Sequence, residues 1–237
     1  MKKQVFLFLL MLMPLMASAA TKINGIYYYL NSTNKVASVT CRYEVKDPDL
    51  PYIYPISSYS GDVIIPQTVE FNGVTYTVTS IESNAFYGCT NLSSVVIPNS
   101  VKTIGGSENG AISLTLGAFQ ESSLTSVNIP NSVTFIGPDA FRDCTDLTTV
   151  YVTDITAWCN ISFSNTYSNP LTYAHHLFLN GEEVKDLVIP NSVTTIGKNA
   201  FYHCTGITSV TAGNGTTSIN NNAFQGCSSL SLISHQQ

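Results

Sequence analysis

The most regularly spaced reactive side chains in the sequence are four cysteines. Each stands three positions after an Ala-Phe pair, so that the motif Ala-Phe-x-x-Cys occupies residues 85–89, 140–144, 200–204 and 223–227. A cysteine at a fixed position can be a metal ligand, a nucleophile, half of a disulfide bridge or a small buried hydrophobe. Which of these roles applies largely decides what the protein does.

Histidines are the next candidates for chemistry. His175 and His176 are adjacent, which aims their side chains in different directions. A catalytic or metal-binding role needs convergent partners, and the sequence pattern supplies none, so we expect both to be structural. His203 precedes Cys204 and is expected to face solvent.

The candidate acids are Asp154, Glu182 and Glu183. Paired catalytic carboxylates need a defined separation across a cleft, and nothing in the pattern orients these three against a partner. The sequence contains no G-x-S-x-G elbow, H-E-x-x-H motif, P-loop or dinucleotide fingerprint. The sequence therefore predicts that the protein is not an enzyme and uses no cofactor.

Composition narrows the class of protein further. The 237-residue chain has 10 Lys and Arg against 15 Asp and Glu, and only 11% of its residues are charged. Nucleic acids and anionic membranes require clustered basic residues, so neither is an expected partner. After the first twenty residues, no apolar run reaches the length of a membrane-spanning helix.

The first twenty residues resemble a secretory signal peptide. Lys2 and Lys3 precede an apolar run over 5–15, and Ala17-Ser18-Ala19 offers the small residues of a cleavage site. Cleavage after Ala19 or Ala20 changes the formal charge from −5 to −7, because two lysines are removed. We therefore expect an exported protein that is secreted or exposed on the cell surface.

Internal repetition dominates the rest of the chain. The letters IPNSV recur at 97–101, 129–133 and 189–193, and two of the Ala-Phe pairs follow their predecessors by 22 and 23 residues. This period lies in the leucine-rich-repeat range. Two longer spacings indicate insertions, at 105–116 and at 153–184.

Each repeat unit predicts two short strands and a turn. In the stretch 92–98, inward-facing apolar residues alternate with outward-facing ones, and Pro98 ends the strand because proline cannot donate to a ladder. A second extended piece over 101–104 stops at Gly105. The Ala-Phe-x-x-Cys segment then forms one short helical turn that points Phe and Cys inward. One unit cannot cover its own apolar face, whereas stacked units form a solenoid.

The longer insertion carries signals of its own. Thr153-Asp154 and Asn169-Pro170 indicate helix starts, and the stretch 177–184 predicts a hairpin that feeds the next repeat strand. Trp158 is expected to anchor the core.

The pattern IPNSVxxIGxxAFxxCxxLTSV resembles the bacterial surface-protein type of leucine-rich repeat that occurs in BspA-like proteins, and it covers residues 77–237. The resemblance implies a mainly β, right-handed leucine-rich-repeat solenoid with short helical turns. It also implies a secreted or surface-exposed binding role without catalytic residues. Residues 21–76 resemble the N-terminal β cap of such domains, with one predicted hairpin around 31–34 and another around Asn72-Gly73. The domain prediction is a signal peptide at 1–20, a cap at 21–76 and a solenoid at 77–237.

The solenoid hypothesis assigns the regular cysteines to the core. Cys89 and Cys144 lie two coils apart, about 10 Å, which is beyond bridging distance. Cys204 and Cys227 lie on adjacent coils, where parallel packing favours free thiols, and a single file of cysteines supplies only one metal ligand per coil. Cys41 and Cys159 lie outside the series, and the sequence does not pair them. The predicted core ladder is Phe86, Cys89, Phe119, Phe141, Cys144, Phe201, Cys204, Phe224 and Cys227.

The outward positions of the repeat strands form the predicted binding face. Solenoids commonly bind through their concave sheet, and here that surface is small, hydroxylated and nearly uncharged. The alternative is that these residues only keep the sheet soluble. The candidates are Ser94, Val96, Ser126, Asn128, Thr149, Tyr151, Asp186, Val188, Ser209 and Thr211.

We therefore predict an adhesion protein that binds an extracellular or surface protein of host or bacterial origin. The alternatives are a structural scaffold of the cell envelope and, more weakly, a glycan-binding module that uses the tyrosines between 27 and 59. The final stretch LSLISHQQ begins a strand that no cap follows, so edge pairing with a second copy is a further hypothesis.

Overall fold

The computed structural model describes residues 20–45, 53–56, 58–106 and 116–235. The predicted signal peptide lies outside these residues except for Ala20, and so does most of the predicted insertion at 105–116. No helix among the described residues is long and apolar enough to cross a membrane.

The N-terminal segment is built from hairpins. β1 (Thr21–Ile23), β2 (Ile26–Asn31) and β3 (Val36–Thr40) form an antiparallel meander. β4 (Arg42–Val45) pairs with β5 (Ile53–Ile56), and β7 (Thr68–Phe71) pairs with β8 (Val74–Ile81). The turn between β7 and β8 places Asn72 at φ 50° and Gly73 at φ 74°, as a type I′ hairpin requires. Both predicted hairpins are confirmed.

The repeats form two stacks of parallel strands. The first stack, called the front strands here, comprises β6 (Gly61–Ile64), β9 (Leu92–Val96), β11 (Ser126–Asn128), β13 (Thr149–Val152), β15 (Leu177–Leu179), β17 (Asp186–Val188), β19 (Ser209–Ala212) and β21 (Leu232–His235). The second stack, called the rear strands, comprises β8, β10 (Thr103–Ile104), β12 (Phe135–Ile136), β14 (Ser162–Phe163), β18 (Thr195–Ile196) and β20 (Ser218–Ile219).

Parallel pairing holds each stack together. Among the front strands it joins β6 to β9, β11 to β13, β13 to β15, and β17 to β19 and β21. Among the rear strands it joins β8, β10, β12 and β14 in order, and β18 to β20. The cap joins the rear stack because β3 pairs in parallel with β8. The solenoid fold predicted from the repeats is confirmed.

The segment over 153–184 differs from our expectation of an insertion, because it forms a coil of the solenoid. β14 extends the rear stack and β15 extends the front stack. Between them lie α1 (Ile155–Cys159), a 3₁₀ turn and α2 (Leu171–Ala174), which begin near the two predicted helix starts. β16 (Glu182–Glu183) then turns back on β15 as the predicted hairpin.

Parallel pairing also reaches further towards the N-terminus than we expected. β6 lies within the predicted cap, yet it pairs with repeat strand β9. The sequence contains a signal for this strand, since Val63-Ile64-Ile65-Pro66 repeats the pattern of Val95-Val96-Ile97-Pro98. The division at residue 76 remains a prediction.

One continuous core fills the solenoid, from Ile26 to Cys227. Its spine is a file of nearly parallel phenylalanine rings, with centroids 4.8 Å apart for Phe86 and Phe119 and 5.2 Å apart for Phe119 and Phe141. Phe201 and Phe224 continue the file with the same 5.2 Å spacing. Offset stacking of aromatic rings adds to the apolar area that each ring buries.

Candidate binding surface

The regular cysteines are buried and free, as are Cys41 and Cys159. Their thiols have a role beyond filling space. The Sγ atom of Cys144 donates to the carbonyl oxygen of Phe119 at 3.0 Å, and that of Cys227 donates to the carbonyl oxygen of Phe201 at 3.1 Å. Each of these thiols therefore bonds the backbone of the coil before it.

Burial favours the protonated form of two of these thiols. It raises the pKa of Cys144 to about 11 and the pKa of Cys204 to about 12, from an ordinary value of 9.0. A thiolate is the nucleophile and the metal ligand, so a thiol that holds its proton does neither. Among the described residues, no group of three or more His, Cys, Asp or Glu side chains could hold a metal ion.

The two adjacent histidines have different partners. The Nδ1 atom of His176 lies 2.6 Å from Oε1 of Glu183, and Nδ1 of His175 lies 3.1 Å from the carbonyl oxygen of His203. The first contact ties the start of β15 to β16 across the hairpin. The sequence did not predict a partner for Glu183, because seven residues separate it from His176.

His203 is half-buried, whereas we expected it to face solvent. Its ring stacks on Tyr202 with centroids 4.3 Å apart and lies against Gly226, where a Cβ atom would come within 2.0 Å of its Cδ2. Burial, and then the nearby His175, lower the pKa of His203 below its ordinary value.

Asp154 has a structural role. Its Oδ1 atom accepts hydrogen bonds from the backbone N–H groups of Thr156 at 2.7 Å and Ala157 at 3.3 Å. It is therefore the N-cap of α1.

The front strands place the ten predicted binding residues on one face. Val96, Asn128, Tyr151, Asp186 and Val188 are exposed. The remaining five are half-buried, namely Ser94, Ser126, Thr149, Ser209 and Thr211. Their neighbours along each strand point inward and are buried, which is the alternation typical of a sheet with one face on a core.

A mainly apolar row runs along this face. Val96 pairs with Ile64, and Tyr151 pairs with Asn128 on one side and Phe178 on the other. The rings of Tyr151 and Phe178 are 5.2 Å apart. Val188 takes the equivalent position on β17. This row, called the front stripe, comprises Ile64, Val96, Asn128, Tyr151, Phe178 and Val188.

Exposure of the front stripe is high for aliphatic side chains. Ile64 is 70% exposed, Val96 52% and Val188 51%. Sequence reasoning missed Ile64, which was assigned to the cap, and Phe178, which was assigned to a connecting hairpin. Both alternate with inward apolar neighbours, and that alternation is the signal that could have identified them.

A second row, beside the front stripe, is polar and acidic. It pairs Asp62 with Ser94 and Asp186 with Ser209. In each pair the serine hydroxyl donates to the carboxylate, at 2.7 Å for Ser94 and 2.6 Å for Ser209. These bonds fix the two carboxylates on the face, where they leave a negative charge at each end of the apolar row.

These observations define a leucine-rich-repeat solenoid with an exposed sheet face. The chain belongs to the BspA-type leucine-rich-repeat family: the model of the BspA type Leucine rich repeat region matches six copies over residues 67–175 and 172–237. Membership in this family indicates a scaffold for protein–protein interaction. No curated protein sequence matches the chain.

Several solved structures are similar to this chain. A T. pallidum Leucine Rich Repeat protein is 19% identical with a TM-score of 0.45, and the match covers 91% of this chain and 85% of that one. A leucine-rich repeat protein from Bacteroides ovatus is 21% identical with a TM-score of 0.27, over 92% and 71%. A leucine rich cell surface protein from Faecalibacterium prausnitzii is 19% identical with a TM-score of 0.28, over 91% and 76%.

Proposed function

We propose that this protein is an exported adhesion protein that docks another protein on its front face. The observation that carries the proposal is the front stripe, because Ile64, Val96, Tyr151 and Val188 stand exposed along the front strands. Open sheet faces in water are usually polar, and a contiguous exposed apolar patch is typical of an interaction site. The signal-peptide sequence supports export to the place where such a partner lies.

The charges beside the front stripe indicate which kind of partner surface would be complementary. Asp62 and Asp186 flank the row, and Glu183 on β16 lies towards the same end as Asp186, beside β15. A complementary surface carries apolar side chains in the middle and basic side chains at its edges. Charges at the rim of an interface mainly set the association rate and its dependence on salt.

The alternatives have less support. Glycan binding through the N-terminal tyrosines requires accessible rings, yet Tyr28 and Tyr59 are buried in the core. A scaffold of the cell envelope would also bind through the front face, so the scaffold hypothesis differs from the adhesion hypothesis only in the identity of the partner. Binding to extracellular-matrix proteins supports adhesion, whereas binding only to bacterial envelope fractions supports the scaffold.

The proposal predicts which side chains control binding. The mature chain is screened against extracellular-matrix proteins and bacterial surface fractions, and the affinity for each hit is measured by biolayer interferometry. We expect Tyr151→Thr to weaken binding by at least roughly tenfold, as loss of an aromatic anchor does. Val96→Thr and Val188→Thr preserve the strand-forming branched shape while removing apolar surface, and we expect each to weaken binding less.

Ile219→Ser supplies the matched control. The exposed fraction of Ile219 is 49%, similar to that of Val96, but Ile219 lies on rear strand β20. Its replacement should leave affinity unchanged. If Ile219→Ser lowers the affinity as much as Tyr151→Thr does, the front face is not the docking surface. The same conclusion holds if the affinity for a partner is unchanged in all three front variants.

A further inference from the structure

A cleft opens on the rear side of the solenoid, away from the front stripe. It has a volume of about 340 Å³ and lies where the rear stack is interrupted between β14 and β18. This volume falls at the lower end of the range for small-molecule sites, about 300 to 1,000 Å³. The cleft is therefore large enough for one small ligand.

The interruption leaves two strand edges facing the cleft. The backbone N–H groups of Ser162 and Ser164 donate towards β12, at 2.9 Å to Thr134 and 3.1 Å to Ile136. Successive backbone groups in a strand point to opposite sides, so those of the intervening Phe163 point towards β18.

The same argument applies to the other side of the cleft. The carbonyl oxygens of Thr194 and Ile196 accept from β20, from Ser218 at 3.2 Å and Asn220 at 3.0 Å. The backbone groups of Thr195 between them therefore point towards β14. No ladder joins β14 to β18. Fixed backbone donors and acceptors from two strands thus face the cleft.

Gly197 sets how closely the two coils approach beside the cleft. Its N–H group donates to the carbonyl oxygen of Cys159 at 3.3 Å, and a Cβ atom on Gly197 would lie 2.9 Å from that same oxygen. The backbones of the two coils therefore come into close contact at Gly197, which also lines the recess.

The side chains of the cleft are neutral hydrogen-bonding groups and one cation. Asn160, Ser162, Thr195 and Asn220 supply amides and hydroxyls, and Lys198 supplies an ammonium group. The described lining contains no carboxylate. Lys198 takes part in none of the ion pairs formed among the described residues. In a chain with more acidic than basic residues, this is an unusual local environment.

We infer that this cleft binds a sugar acid, that is, a hydroxylated ring that carries a carboxylate. Amides, hydroxyls and strand backbone groups match ring hydroxyls, which both donate and accept. The ammonium of Lys198 matches the carboxylate through a charge-assisted hydrogen bond. The ligand is either a free sugar acid or a unit of an acidic polysaccharide, since both present this chemistry.

Isothermal titration calorimetry on the mature chain tests the inference with galacturonate and with polygalacturonate. Galactose lacks the carboxylate and acetate lacks the ring, so we expect both to bind at least roughly tenfold more weakly than galacturonate. Tighter binding of the polymer per sugar unit assigns the site to polysaccharide, and equal binding assigns it to the free sugar acid. Absence of heat with both acidic probes overturns the inference, and so does equal binding of galactose.

Paired variants separate the cleft from general charge effects. We expect Lys198→Ala and Asn220→Asp each to weaken galacturonate binding about tenfold, the effect of one charge-assisted hydrogen bond lost or one repulsive charge gained. Lys102→Ala removes an exposed lysine that lies two coils from β14 and does not line the cleft, and Asn221→Asp adds a carboxylate at an exposed neighbour that does not line it either. If these controls weaken binding equally, the cleft is not the site.

Discussion

At the scale of single residues, the repeat cysteine combines two properties that a purely apolar residue lacks. It fills a small volume in a dry core, and its thiol bonds a backbone carbonyl of the neighbouring coil, as Cys144 does with Phe119 and Cys227 with Phe201. Ser122 occupies the same repeat position and lies 3.6 Å from the Cys144 sulfur. Each carbonyl also accepts a backbone N–H group, from Ser122 at 3.0 Å and from Cys204 at 3.1 Å, so the thiol adds a second hydrogen bond to it. A small side chain with one hydrogen-bonding group therefore suits this position.

The buried thiols predict how stability depends on pH. Cys144 and Cys204 ionise near pH 9.0 in the unfolded chain, whereas their folded pKa values are about 11 and about 12. Below pH 9 both states hold the proton, so the contribution to stability is constant. Between pH 9 and 11 only the unfolded chain loses it, and the free energy of unfolding should fall by about 1.4 kcal/mol per pH unit for each such thiol.

Urea denaturation at pH 8, 9 and 10 measures this effect. Tyrosines also begin to titrate towards pH 10, so the effect of one thiol is taken from the difference between the wild type and a variant that lacks it, in which the tyrosine contribution cancels. Cys144→Ser keeps a small hydrogen-bonding side chain and does not ionise, so its stability should fall less steeply with pH than that of the wild type. Equal slopes in the two proteins would show that Cys144 does not retain its proton through burial.

At the scale of elements, the solenoid depends on points where backbone touches backbone. A Cβ atom on Gly117 would lie 1.7 Å from the carbonyl oxygen of Asp139, and one on Gly137 would lie 2.0 Å from that of Gly105. Such distances are far below van der Waals contact, and backbone cannot swing aside as a side chain can. These glycines therefore set the spacing of successive coils.

Gly117→Ala should destabilise the protein strongly, by about 3 kcal/mol or more, because the added methyl group forces two coils apart. Gly106→Ala is the matched control: its Cβ atom would meet its nearest neighbours at 3.7 Å, an ordinary contact distance. The urea midpoint of each variant measures the effect. A Gly117 variant as stable as the Gly106 variant would contradict the close approach.

The sequence predicts elements well where a repeat motif is complete. The front strands with an IPNSV motif, the Asn72-Gly73 hairpin and the start of α1 at Asp154 all follow from local pattern. Sequence analysis missed β14, because Ser162–Phe163 is too short to carry a periodic signal and is defined only by pairing with β12. It also missed β6, because the hairpin of β7 and β8 separates Ile64 from the next Ala-Phe-x-x-Cys turn, at 85–89, and so lengthens this repeat unit.

The proposed binding surface was likewise predicted in part, where a local pattern marks its residues, and missed where it depends on strand pairing. Alternation along the strands predicted which residues face outward, such as Val96 and Tyr151. The contribution of Phe178 depends on parallel pairing of β15 with β13, which no local pattern encodes. The rear cleft depends on a missing ladder between two coils, so it too was inaccessible from sequence.

At the scale of the whole molecule, both stacks are interrupted at the same level. At this level the front strands break between β16 and β17, and the rear strands break between β14 and β18. The front strands break once more, between β9 and β11. At the shared level, side chains bridge the junction instead. The indole Nε1 of Trp158 donates to the carbonyl oxygen of Ala200 at 2.8 Å, and Nδ2 of Asn169 donates to that of Asn199 at 2.7 Å. Both bridging side chains are buried within the described core.

This junction predicts how the molecule unfolds. Solenoid stability is approximately a sum over coils and the interfaces between them, so a continuous core should make the wild type unfold in one transition. Trp158 is the only tryptophan, and its fluorescence reports the junction, whereas far-UV circular dichroism reports all strands. In urea the two signals should therefore coincide for the wild type.

Asn169→Ala removes one bridge and leaves the fluorescent probe in place. It deprives the backbone groups of Asn199 and Leu171 of their buried partner, at a cost of about 1–3 kcal/mol for each unsatisfied group. The fluorescence transition should then occur at lower urea than the dichroism transition, because the junction opens before the coils on either side. Asn131→Ala is the control. Asn131 is exposed, and among the described side chains it accepts one hydrogen bond, from the Thr153 hydroxyl. Its replacement should leave the two signals coincident. If Asn169→Ala instead shifts both signals together, the packed core alone couples the two halves, and the side-chain bridges are not what replaces the missing ladder hydrogen bonds.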